Sequence, residues 1–78
     1  MTDVTFEIVR KFGVITTNIS GWTKEINLVS WNGGPPKIDI RDWSPDHDKM
    51  GKGITLMPAE AEELYGLLTD AFTDGSWQ

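Results

Sequence analysis

Seventy-eight residues without a cysteine hold one domain, bury a smaller share of surface than a longer chain would, and exclude a disulfide or a thiolate metal cage as its brace. Small scaffolds without such braces turn to oligomerisation. The formal net charge of −5 speaks against a nucleic-acid partner only as a sum: residues 10–56 hold all seven cations against five acids, whereas residues 57–78 hold five acids and no cation. A mildly basic middle before an acidic end suits a binding face with a distant solvated face, and equally an acidic exposed helix.

In chain order, residues 1–10 alternate polar and apolar side chains and carry Asp3 and Glu7. They have no cationic start and apolar run, so they do not read as a signal peptide. No apolar stretch approaches the roughly 20 residues that span a bilayer, and the expected location is the cytoplasm, with no membrane partner. Val4, Phe6 and Ile8 share one parity and predict a half-buried strand. Gly13 predicts a turn into a second strand over residues 14–19, rich in Val, Ile and Thr. Ser20-Gly21 is a further turn signal.

Residues 22–31 predict another strand with a change of parity. Trp22, Ile26 and Leu28 share one side, Val29 and Trp31 the other, and a bulge near Asn27 or Leu28 would reconcile them. Asn32-Gly33-Gly34-Pro35-Pro36 resists strand pairing. Residues 38–43 alternate again. Ile38 and Ile40 predict a core face, and Lys37, Asp39, Arg41 and Trp43 an exposed face of two cations and a flat ring. Residues 44–53 form a polar loop and residues 54–56 a short strand. Pro58 suits the first position of a helix that runs to about residue 73, with Glu60, Glu62 and Glu63 opposing its positive end. Its apolar stripe holds Ala61, Leu64, Leu68, Ala71 and Phe72, widened by Tyr65 and Leu67. Residues 74–78 read as a tail.

Catalytic patterns are sparse. Asp46-His47-Asp48 is the one cluster that hints at a metal or a general base, but a lone histidine matches no closed zinc site. There is no phosphate loop, no Ser-His-Asp set and no dinucleotide fingerprint. The expectation is a non-enzyme with no cofactor and no metal. Exposed indoles beside cations suit a single-stranded nucleic acid, because bare bases stack on Trp and phosphates are neutralised by Lys and Arg. The candidates for those roles are Trp22, Lys24, Trp31, Lys37, Arg41, Trp43, Lys49 and Lys52. The alternative is a protein-interaction module that uses the Trp-rich sheet or the acidic helix.

Ile38-Asp39-Ile40-Arg41-Asp42-Trp43, a polar loop, Gly51-Lys52-Gly53-Ile54-Thr55-Leu56 and a helix opening with proline together resemble the single-strand DNA-binding domain of the positive cofactor four family of transcriptional coactivators. Gly21-Trp22-Thr23-Lys24-Glu25, Val29-Ser30-Trp31-Asn32 and Trp43-Ser44-Pro45-Asp46-His47 are similar to its bacterial YdbC-type branch. The likeness spans residues 6–68. It implies an α+β fold: a curved four-stranded antiparallel sheet over residues 4–56, then one C-terminal amphipathic helix, in a homodimer joined through helices and sheet edges.

The resemblance further implies a low-specificity binder of single-stranded DNA serving transcription or DNA maintenance. RNA remains the other ligand, because the 2′-hydroxyl is sensed by contacts no pattern reveals. By motif, Arg41 matches a backbone-contacting arginine, Trp43 the aromatic after it, Lys52 the lysine before Gly-Ile-Ser-Leu, and Trp31 falls near a base-stacking aromatic. The chain departs from the eukaryotic pattern at Gly51, where a second cation is expected, and at Met57, where a polar helix cap is expected.

Overall fold

The computed structural model describes residues 4–78. Met1, Thr2 and Asp3, the head of the segment read as unlike a signal peptide, lie outside the described residues. Four strands, β1 (Phe6–Thr17), β2 (Thr23–Trp31), β3 (Lys37–Trp43) and β4 (Met50–Leu56), precede one helix, α1 (Pro58–Asp74). The sheet order is β1-β2-β3-β4, and every pairing is antiparallel. This is the expected α+β arrangement, with an open sheet and a C-terminal helix. No helix among the described residues is long and apolar enough to cross a membrane.

Several expectations are corrected. β4 begins at Met50, within the segment expected to be a polar loop over residues 44–53. Gly13 makes no turn: β1 runs straight through it, pairing Gly13 with Ile26. The irregularity expected on β2 lies on β1, whose register slips between Ile8 and Arg10, between Lys11 and Gly13, and between Val14 and Thr16. The paired register of β2 against β3 is unbroken from Thr23 to Val29. The mixed parity of β2 needs no bulge because both faces of this strand are covered. Glu25, Asn27 and Val29 are buried on one face, and Ile26 and Leu28 are half-buried on the other.

Bulges bend a strand and increase its twist, and here they bend the sheet strongly. Phe6 pairs with Trp31, and Trp43 pairs with Thr23. Thr23 and Trp31 stand at opposite ends of β2, about 26 Å apart in an extended strand. Yet the Phe6 and Trp43 rings lie 5.1 Å apart between centroids. The strands therefore curl toward the face that carries Glu25, Asn27, Val29, Asp39 and Trp43, all of them buried. The face expected to be exposed is the enclosed one, and Ile38 and Ile40, expected in the core, are half-buried on the other side.

Close approach of strands inside the curl depends on Gly53. A Cβ there would overlap Arg41 Cβ and fall 2.5 Å from the Ile40 carbonyl oxygen. The connections rely on side-chain acceptors instead. Asn18 Oδ1 receives the Ser20 and Trp22 amides, each at 3.0 Å, and Asn32 Oδ1 receives the Thr5 amide at 2.9 Å. The start of α1 lacks a polar cap, as the sequence implies, but Glu60 Oε1 accepts the Met57 amide at 2.8 Å. Gly75, at φ 68, closes the other end by donating its amide to the Ala71 carbonyl at 2.9 Å.

The helix touches only β3 and β4. Between it and the rest of the sheet runs an apolar groove of about 350 Å³, bordered by Ile15, Ile26, Ile40, Leu64, Tyr65 and Leu68. No residue of α1 is buried. The Gly53→Ala variant is expected to lose about 1–3 kcal/mol of stability, the usual cost of forcing atoms into a filled space. Urea unfolding followed by circular dichroism measures it.

Candidate nucleic-acid interface

The enclosed face holds charge, and each buried charge is matched. Asp39 has no exposed surface. Arg41 meets it with a two-pronged contact, Nε to Oδ1 at 2.8 Å and Nη2 to Oδ2 at 2.9 Å. Thr55 Oγ1 donates to Asp39 Oδ2 at 2.9 Å. A third guanidinium nitrogen, Nη1, reaches the Gly51 carbonyl at 3.3 Å. The same guanidinium lies over the Trp31 ring, with Cζ 4.8 Å from the ring centroid, close enough for cation–π attraction. Phe6 flanks Trp31 at 6.0 Å between centroids.

Glu25 forms a second cluster. It accepts from Thr23 Oγ1 and from Asn27 Nδ2, and His47 Nε2 lies 2.8 Å from its Oε2. Burial pushes the Glu25 carboxyl up, but the hydrogen bonds from Thr23, Asn27 and His47 outweigh it and hold the group below its ordinary value of 4.5. The His47 ring also stacks on Trp43 at 5.6 Å between centroids, nearly parallel at 23°. Asp46, read beside His47 as a hint of metal, instead ties the turn. Its Oδ1 accepts the Asp48 amide at 2.9 Å and the Ser44 hydroxyl at 2.7 Å. The bond from the Asp48 backbone, then that from Ser44, keeps its carboxyl low. Among the described residues, no group of three or more His, Asp and Glu side chains could hold a metal ion.

The candidate residues fall into separate groups. Trp31, Arg41 and Lys37 stand on the inward parity, with Trp31 and Lys37 half-buried. Lys24 and Lys52 stand on the outward side, in a cleft of about 430 Å³ that Arg41 also lines, with Asp42, Ile40 and Ile54. Lys24 Nζ is 3.7 Å from Asp42 Oδ1. Gly51 lies beside this cleft because a Cβ there would come within 3.2 Å of Asp42 Cβ and 3.5 Å of the Trp22 ring. Trp22 itself is half-buried, and Lys49 is exposed in the turn before β4.

Trp43 is the correction within this set. It is fully buried, enclosed by Phe6 and His47, so its ring supports the curl and presents no platform. Lone-strand alternation marks a side of β3 but not which side a bent sheet closes on. Alternation gives no sign that Phe6, Glu25 and His47 neighbour the aromatic pair. Lys11 pairs with Asn27 and so shares the inward parity, which the slips in β1 hide from the sequence.

A carboxyl with a depressed native pKa adds stability that is present above its unfolded value and lost as pH falls through the native one. Glu25→Gln is therefore expected to flatten the acid arm of stability. The advantage of the parent chain over the variant, read by urea unfolding at successive pH values, should shrink below about pH 4.5.

Two comparisons bear on this site. The family model described as Transcriptional Coactivator p15 (PC4) matches residues 18–67, which contain β2, β3, β4 and most of α1. An uncharacterized protein of Treponema pallidum (strain Nichols) is 47% identical over 72 residues, covering 92% of this chain and 85% of that protein.

Proposed function

The chain belongs to the Transcriptional Coactivator p15 (PC4) family, and from that membership we propose that it binds single-stranded nucleic acid, DNA in the first place, with little sequence preference. The observation that carries the reading is the Trp31–Arg41 pair at the edge of the enclosed face. A half-buried indole stacks on any base, which makes binding tolerant of sequence. Lys37, Lys49, Lys52 and Lys24 supply cations for phosphates, and Trp22 a second aromatic surface. Trp43 acts from behind, through the rings it supports. Binding of this kind needs no reaction and no cofactor. The service to the cell is transcription or DNA maintenance in the cytoplasm.

For oligo-dT, log K is expected to fall with log[salt] with a slope of about −0.7 for each phosphate neutralised. Trp31→Ala should remove roughly 1–3 kcal/mol of binding, the worth of one stacked base. Fluorescence anisotropy measures both. A flat salt dependence with unchanged Trp31→Ala affinity would reject the reading and favour a protein partner. Competition with an RNA of equal length and with a duplex ranks the ligands.

The working unit in this reading is a homodimer. The accessible surface is 5890 Å², against about 4,700 Å² for a compact chain of this mass. The radius of gyration is 14.2 Å, against about 11.5 Å for a compact domain of this length. The surplus is apolar: Phe12, Ile15, Ile54, Tyr65, Leu68 and Phe72 are all about half exposed or more. Such a surface is suited to burial against a second copy. Light scattering after size exclusion is expected to give twice the chain mass. Leu68→Lys, which charges the groove, should shift the population toward monomer.

A further inference from the structure

We propose that single-strand binding by this chain is linked to a proton on His47, so that affinity rises as the solution turns acid. The inference rests on the nucleic-acid reading above. Its basis is the pair that joins the β3–β4 turn to β2, with His47 Nε2 2.8 Å from Glu25 Oε2. The carboxylate is 5% exposed and the imidazole 29%, so water reaches the ring and not the acid. Burial pushes the Glu25 carboxyl up, but its hydrogen bonds hold it below its ordinary value, and Glu25 keeps its charge where a histidine changes its own. An imidazole with a single proton on Nε2 donates it to Glu25 and leaves one net negative charge on the pair. With both nitrogens protonated the pair is neutral. Protonation thus removes a negative charge from the enclosed face without breaking a contact.

The ring is held in place for this. It stacks on the fully buried Trp43, nearly parallel at 23°. The His47 backbone adopts φ 59, a left-handed conformation in which histidine is among the better tolerated side chains. Its amide donates to the Ser44 carbonyl at 2.9 Å. Histidine is the side chain whose ordinary charge change falls near neutral pH, and His47 is the only one in the chain.

Position decides what feels the charge. Glu25 stands opposite Arg41 in the pairing of β2 with β3, and residues so placed have Cβ atoms about 5 Å apart. Arg41 lines the cleft that also holds Lys24 and Lys52, and Lys49 lies in the same turn as His47. A phosphate drawn to these cations lies within the roughly 10 Å over which an exposed charge acts at 0.1 M salt. Glu25 repels it until His47 is charged. The other charged groups around the pair are Asp39, held by Arg41 and Thr55, Asp42 facing Lys24, Lys11 opposite Asn27 on β1, and Asp46 and Asp48 in the turn, where Asp46 accepts from Ser44 and from the Asp48 amide. The ordinary titrations of Asp, Lys and Arg lie outside the range in which histidine changes charge.

The test is the affinity for oligo-dT, read by fluorescence anisotropy from about pH 5.5 to pH 8 at one low salt concentration. The parent should bind about three- to tenfold more tightly at the acid end, the effect of one unit charge over this distance. The difference should shrink as salt is added. His47→Gln can still donate to Glu25 but takes up no proton, and should lose the dependence. The terminal amino group also titrates in this range, but it is common to both chains and cancels in the comparison. Linkage is reciprocal, so bound oligo-dT should raise the midpoint of the His47 ring titration, followed by NMR, by about half to one pH unit. An equal pH dependence in the parent and His47→Gln, or a ring titration that oligo-dT leaves in place, overturns the proton link and spares the function. A chain that binds no oligo-dT at any of these pH values overturns the functional reading and the link with it. Should His47→Gln fail to fold, the ring titration of the parent decides.

Discussion

Asp39 has no exposed surface, and a carboxylate without water must find its whole solvation in the protein. It does so from two neighbours on the sheet, Arg41 on its own strand and Thr55 opposite it on β4. The requirement organises what surrounds it. Arg41 must lie flat along β3, β4 must approach closely enough to need glycine at position 53, and the freed face of the guanidinium meets Trp31. One buried charge thus couples the pairing of β3 with β4 to the placement of the half-buried Trp31 ring on that face.

The curl of the sheet has two consequences that oppose each other. Inside, it gathers Phe6, Trp31, Trp43 and His47 into one aromatic set and closes it over polar side chains, each charged one matched. Among the described residues, two indole nitrogens and the side-chain oxygen Oδ1 of Asn27 remain without partners there, the cost of packing rings tightly in a polar interior. Outside, the curl leaves the isoleucines facing a helix that buries none of its own residues. The monomer is consequently polar where a core is usually apolar, and apolar where a surface is usually polar. The homodimer proposed above would resolve that inversion by the hydrophobic effect, with a second copy on the outer side.

The charge distribution fits this division. All five acids of the last 22 residues lie on or after α1, while the cations belong to the sheet and its turns. A chain of net −5 can still attract phosphates locally, since screening limits exposed charges to about 10 Å at moderate salt. In the proposed function the acids of α1 would keep a polyanion off the helix and direct it to the strands. The Glu25–His47 contact adds a tie between the β3–β4 turn and β2, so that the turn carrying Lys49 is anchored to the same enclosed face.

Alternation, turn residues and an amphipathic stripe determined a run of strands, a helix opening at Pro58 and a family likeness anchored in residues 38–43 and 51–56, but not the continuity of β1 through Gly13 or the start of β4 at Met50. That Asp39 and Arg41 share a face was also legible, because they stand two residues apart on a strand, but not that they pair in a buried contact. Only the tertiary structure decided which face closes. Alternation distinguishes the two sides of a strand but carries no sign of curvature, and the bulges of β1 that generate the curvature arise from pairing with β2. For that reason Trp43 reads from the sequence as a platform and stands in the fold as a buried support. Whether a charged parity is exposed or enclosed depends on partners several strands away, and those partners exist only once the sheet has bent.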